Sequence, residues 1–136
     1  LLAGATDPAP VKAVVDWEMS TLGDPLTDLA LLLVYDRVAT VVPELDVSDV
    51  STAPGYPDAD RIVTTYAKAR GLDADELAGH MQFHLGLAHF KLAVILEGIH
   101  HRFTLGATVG EGFDGIGRAV EPLLASGLAA ARGGVL

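Results

Sequence analysis

The chain contains no cysteine. No disulfide frame, zinc–thiolate site or cysteine nucleophile can therefore be built from it. That absence fits a reducing compartment, and a cytoplasmic location is expected. Basic residues are scarce: nine Lys and Arg stand against 18 Asp and Glu, for a formal net charge of −9. Nucleic-acid binding and docking on an anionic membrane both need a basic face, so both are disfavoured. Long apolar runs are missing as well. The longest, Leu29 to Tyr35, falls far short of the roughly 18 residues of a membrane span. The segment Met81 to Ile99 is apolar overall but carries Lys91 and Glu97, and it reads as a buried helix.

What remains is an apolar chain of modest size. Half of its 136 residues are hydrophobic and only 20% are charged. Disordered chains show the reverse balance. The length corresponds to one small domain that can bury a core. The mean hydropathy of +0.38 is high, so some apolar surface is expected to face a partner, another domain or a second copy in a homodimer.

Strand signals are confined to the first residues. Val11 to Trp17 (VKAVVDW) is rich in β-branched residues and bounded by Pro10 and Glu18, which predicts a strand paired in a short hairpin with Leu1-Leu2. Asp24-Pro25 is a helix start, because Asp accepts from free amides and Pro has its φ pre-set. The helix should run to about Val38, with Leu26, Leu29, Ala30, Leu33 and Val34 on one face. Residues 39–56 contain Pro43, Pro54 and Gly55 and read as a loop. Asp58 to Arg70 predicts a second helix stopped by Gly71. Asp73 with Glu76 forms a capping box for a third helix, or a helix pair, reaching about Phe103. Thr104 to Gly117 holds five glycines and reads as a loop, before a last helix over 117–132.

The segment VVDWEMSTLGDPLTDLA, residues 14 to 30, carries the chemistry. A carboxylate leaving a strand is a common place for a metal ligand, because the strand fixes its position. Asp16 stands there, and Glu18 follows two residues later. Asp28 lies one helical turn after Asp24. The same residues serve equally well as a strand end, a helix cap and a favourable first-turn acid.

This pattern of an apolar strand, D-W-E, a short loop, G-D-P and D-L-A resembles the aminoglycoside phosphotransferase and choline kinase-like family, which has the protein-kinase-like fold. The stretches PGYPDADRIVTTYAKARG (54–71) and FKLAVILEGIHHRF (90–103) resemble the family's following helices, in the subgroup found with acyl-CoA dehydrogenases. The resemblance implies a mainly α fold with a short N-terminal β-hairpin, the C-terminal helical lobe of such a kinase. It implies that Asp16 holds the Mg²⁺ bridging the phosphates of ATP or GTP, with Glu18 near the same cofactor. Trp17 would pack beside the site. Asp28 would brace a catalytic loop from behind, and Asp24 would cap its helix.

One part of the family pattern is not in this sequence. The catalytic loop of the form H-G-D-x-x-x-x-N, a glycine-rich nucleotide loop and a strand lysine are all missing from the 136 residues. Lys12 and Lys68 stand in the wrong context. Because the first residue is Leu1 rather than Met, the expectation is a C-terminal lobe fragment: residues 1–18 a hairpin with the metal-binding Asp, residues 24–136 a helical subdomain. The missing N-terminal lobe would be its partner, and a small hydroxyl compound its acceptor. The fragment alone should be inactive and bind neither Mg²⁺ nor nucleotide tightly. The alternative is a non-catalytic helical binding or oligomerisation module derived from the same fold.

Among the five histidines, His80 and His84 are one turn apart, a spacing that can bind a transition metal, though no H-E-x-x-H accompanies them. By the same resemblance the long helix borders the substrate cleft, which makes His84, His89 and His100 candidates for the pocket. The glycine-rich LGATVGEG (105–112) lacks the following lysine of a phosphate cradle. The acids from Glu44 to Asp60 suit a solvated loop better than a cation site. Surplus apolar surface is expected around Leu1-Leu2, Val14-Val15 and Trp17.

Overall fold

Polar caps and turn residues set the helix boundaries. The computed structural model describes residues 2–3, 11–17, 20–42, 51 and 53–133. Within them lie two short strands, β1 (Leu2–Ala3) and β2 (Val11–Ala13), and four helices, α1 (Leu26–Val41), α2 (Ala59–Arg70), α3 (Ala74–Thr104) and α4 (Val120–Ala131). A 3₁₀ turn, Ile116–Ala119, leads into α4. The architecture is mainly helical.

The β1 and β2 segments pair antiparallel with Leu2 opposite Ala13. The strand expected to reach Trp17 stops at Ala13. The physical reason is local: Asp16 takes a left-handed φ of 72°, which no strand tolerates. A turn then closes on itself, with the Trp17 indole Nε1–H donating to the Val14 carbonyl (2.7 Å) and the Ser20 hydroxyl to the Trp17 carbonyl (2.6 Å).

Asp24 caps α1 through its side chain, whose Oδ1 accepts from the Leu26 amide at 2.9 Å. The helix runs one turn past Val38, because Ala39-Thr40-Val41 continue it and Val42 is buried beneath. Pro43 follows, and the residue before a proline avoids helical geometry; Val42 has φ −135° and ψ 73°. The loop before α2 is tied back to α1 by the Tyr56 hydroxyl, which donates to Asp36 Oδ1 at 2.8 Å. Asp58 caps α2 through the Arg61 amide, and Gly71 ends it at φ 67°. Asp73 then caps α3 through the amides of Asp75 and Glu76.

Helix α3 is one continuous rod of 31 residues, not a pair. Its length lets it serve as the spine of the molecule. One side packs on α1, burying Leu33, Val34 and Ala88, and another packs on α4, burying Leu123 and Ala130. The α3–α4 contact depends on glycine. A Cβ on Gly127 would lie 2.8 Å from the His89 Cβ, and one on Gly86 would lie 3.0 Å from the Ala131 Cβ. Among the described residues no helix is long and apolar enough to cross a membrane.

Candidate functional site

The loop between β2 and α1 carries most of the acids singled out by sequence. Asp16 sits on it exposed to solvent, and its carboxylate accepts no hydrogen bond from the described residues. Its left-handed backbone projects the side chain out of the β2 line. Trp17 does not pack beside it as expected: the residue is 63% exposed and its indole nitrogen is held by the Val14 carbonyl. Val14 and Val15 are half exposed, as the expected apolar face requires; the side chains of Leu1 and Leu2 lie outside the described residues, and so does Glu18.

The loop returns to the helical body at Asp24. Beyond capping α1, this carboxylate reaches α3: Asp24 Oδ2 lies 3.6 Å from His84 Nε2. The other ring nitrogen, His84 Nδ1, lies 3.3 Å from the Thr27 hydroxyl. The imidazole is almost wholly buried and is flanked edge-on by Phe83, with ring centres 5.3 Å apart. A buried polar ring needs polar neighbours; the Thr27 hydroxyl meets Nδ1 and the Asp24 carboxylate stands near Nε2. Thr27 was not singled out by sequence. It lies 57 residues from His84, so no local spacing could have signalled the contact.

Asp28 occupies the first turn of α1, exposed, with no hydrogen bond from the described residues. Its carboxylate is free to meet the positive end of the helix.

The three histidines expected in one pocket are not brought together. His84 faces α1. His89 is buried on another side, its Nδ1–H donating to the Leu85 carbonyl (2.8 Å) and its side chain pressed on Gly127 of α4. His100 lies against Gly117 at the entry to α4, with Nδ1 buried and unpartnered among the described residues. The cause is helical phase: with about 100° per residue, His84 and His100 point to nearly opposite sides of α3.

His80 instead lines a groove of about 260 Å³ with Asp24, Leu26, Tyr66, Arg70 and Glu76. It lies between the start of α1, the end of α2 and the start of α3. A second groove, of about 370 Å³, runs between α1 and α3 and is apolar apart from Thr27 and Lys91. Among the described residues no group of three or more His, Asp or Glu could hold a metal ion. Asp16 by itself fits a different role. Mg²⁺ keeps its waters and is commonly bound by one or two carboxylates with phosphate oxygens completing its shell, and a single open carboxylate meets that requirement.

A family model described as "Phosphotransferase enzyme family" matches residues 1–79. The chain is 33% identical over 118 residues to human acyl-CoA dehydrogenase family member 11, covering 87% of this chain and 15% of that protein. It is 32% identical over 101 residues to mouse acyl-CoA dehydrogenase family member 10, covering 72% of this chain and 9% of that protein. It is 28% identical over 123 residues to the Arabidopsis thaliana protein named probable acyl-CoA dehydrogenase IBR3, covering 87% and 15%. The chain thus spans less than a fifth of the length of these relatives. No solved structure matches it significantly.

Proposed function

Since the chain belongs to the phosphotransferase enzyme family, we propose that it is the C-terminal helical part of a cytoplasmic enzyme that moves a phosphoryl group from ATP or GTP to a small-molecule hydroxyl. The observation that carries this reading is Asp16. It is the one acid of the site segment that is held by a defined turn, projects into solvent and has no protein partner among the described residues.

In this reading Asp16 would hold Mg²⁺, which when bound neutralises charge on the transferring phosphate. The chain's own residues do the positioning. The Trp17–Val14 and Ser20–Trp17 hydrogen bonds fix the turn under Asp16. The Asp24 cap and its contact with His84 fasten the far end of the same loop to α3. A ligand held at a fixed place loses little entropy on reacting, which is most of what phosphoryl transfer asks of a protein. The groove lined by Tyr66, Arg70 and His80 supports an acceptor site between the helices. The relatives named as acyl-CoA dehydrogenases favour a hydroxyacyl thioester over an aminoglycoside as acceptor.

The test pairs two proteins. The 136-residue chain alone is expected to phosphorylate nothing, because it lacks an H-G-D-x-x-x-x-N loop to orient the hydroxyl. A protein made from the reading frame that includes upstream sequence is expected to be active with ATP or GTP and Mg²⁺, and to lose about 10²-fold or more in kcat/KM on Asp16→Asn, by analogy with loss of one charge-stabilising group. Phosphorylation by the chain alone, or full activity after Asp16→Asn, would overturn the assignment.

A further inference from the structure

Among the described residues one face of α3 is left largely open, with Leu87, Phe90 and Val94 forming one wall of the groove beside α1, and its sequence has a repeat. Phe83, Leu87, Phe90 and Val94 are all exposed, by 68%, 39%, 56% and 53%. They succeed one another in steps of four, three and four, the spacing of a helix seam that meets another helix. The same alternation continues outward on both sides without a break. Toward the N-terminus it reaches His80 and then Glu76; toward the C-terminus it reaches Glu97 and then His101. All of these are exposed as well. The complete row covers about 37 Å of helix. The core contacts of α3 lie away from this row, with Ala88 and Leu92 on the far side of the helix and Gly86 and His89 on the α4 side.

The order of residue types along this row reads the same in both directions once acid is matched to histidine. If a second α3 is laid antiparallel with Leu87 opposite Phe90, then Phe83 meets Val94, His80 meets Glu97 and Glu76 meets His101. Each Glu then faces an imidazole that can donate a hydrogen bond to it. The flanking charges follow the same rule, since Asp75 in the first turn comes opposite Arg102 in the last. The helix dipoles are also opposed. A parallel pairing would instead set Glu76 on Glu76 and Glu97 on Glu97.

We propose that this face of α3 is the interface of a two-fold symmetric homodimer, formed by antiparallel pairing of α3 with its copy. The occupant is a second copy of this chain because the row is complementary to itself: four apolar positions at the centre, and acid matched with base at both ends. This is the isologous arrangement, in which each residue's partner finds the same partner in return. It does not rest on the phosphotransferase reading, although the pairing would bring the second copy to the rim of the groove that Glu76 and His80 line.

Equilibrium sedimentation of the chain should give twice its 14.2 kDa mass at about 100 μM. Leu87→Glu should raise the dissociation constant by about ten-fold or more, by placing a charge in an apolar seam. The helical circular dichroism should stay unchanged, because Leu87 lies outside the core. Direction and register can be read by cross-linking, since the chain has no cysteine of its own. Phe83→Cys mixed with Val94→Cys should form a disulfide-linked pair. Phe83→Cys alone should not, because its two copies would be about 16 Å apart along the axis, beyond the roughly 7 Å Cα–Cα limit of a disulfide. A monomer at that concentration, a dimer insensitive to Leu87→Glu, or efficient cross-linking of Phe83→Cys to itself would overturn the proposal.

Discussion

His84 Nε2 on α3 lies 3.6 Å from Asp24 Oδ2 at the head of α1. The same carboxylate caps α1 through the Leu26 amide. One side chain thus fastens the end of the loop that carries Asp16 both to the helix that follows it and to the spine of the molecule. The Asp24 side chain is half exposed, so the ion-pair part of this link is worth little by itself, whereas the cap is worth about 1 kcal/mol. Asp24→Ala should therefore lower unfolding stability by about 1 kcal/mol, and Asp24→Asn, which still accepts from the amide, by much less. Urea denaturation of the two variants checks this. Equal losses would mean that charge, not capping, dominates.

The glycines of α3 and α4 should respond oppositely to the same substitution. Gly127→Ala forces a Cβ to within 2.8 Å of the His89 Cβ, so it should destabilise by about 1–3 kcal/mol. Gly79→Ala meets nothing within 4 Å and lies inside a helix, so it should stabilise by about 0.5–1 kcal/mol. Thermal melting of both variants reads the contrast.

Leu33 and Leu123 are among the largest fully buried side chains, one on the α1 side of α3 and one on the α4 side. Truncation of either to Ala should cost about 2–5 kcal/mol. A loss below 1 kcal/mol at Leu123, measured by chemical denaturation, would show that α4 is not docked as described.

Gly71 ends α2 at φ 67°. Gly71→Ala should cost about 1 kcal/mol through left-handed strain alone, since no atom stands in the way of a Cβ there. Gly71→Asn should recover part of that loss, because Asn tolerates this conformation better.

Asp16→Gly offers a separation of structure from chemistry. Glycine accepts φ 72° without strain, so the fold should be retained with stability within about 1 kcal/mol of the parent. The carboxylate is nonetheless gone. In a protein containing the upstream sequence, activity should fall as far as it does with Asp16→Asn. Retained activity in a well-folded Asp16→Gly variant would remove Asp16 from the site.

Much of the helical framework was legible in the sequence because its signals are local. Asp58, Gly71 and Asp73 act on amides and carbonyls within a few residues, so their identity suffices to place the ends of α2 and the start of α3. The end of β2 was less legible. β-branched residues continue to Val15, but a strand also needs a partner and a permitted φ, and Asp16 has neither. The continuity of α3 was ambiguous for a related reason: Gly79, Gly86 and Gly98 weaken a helix locally, and only packing against α1 and α4 shows that it is not broken.

The sequence by itself determined the family and the helical class, both of which rest on residue identity at short spacing. Tertiary structure alone decided what His84, His89 and His100 do. Each stands on the same helix, yet one joins Asp24 and Thr27, one fills the gap left by Gly127, and one lies against Gly117. Their roles depend on which neighbour α3 presents at each turn, and those neighbours are tens of residues away in the chain.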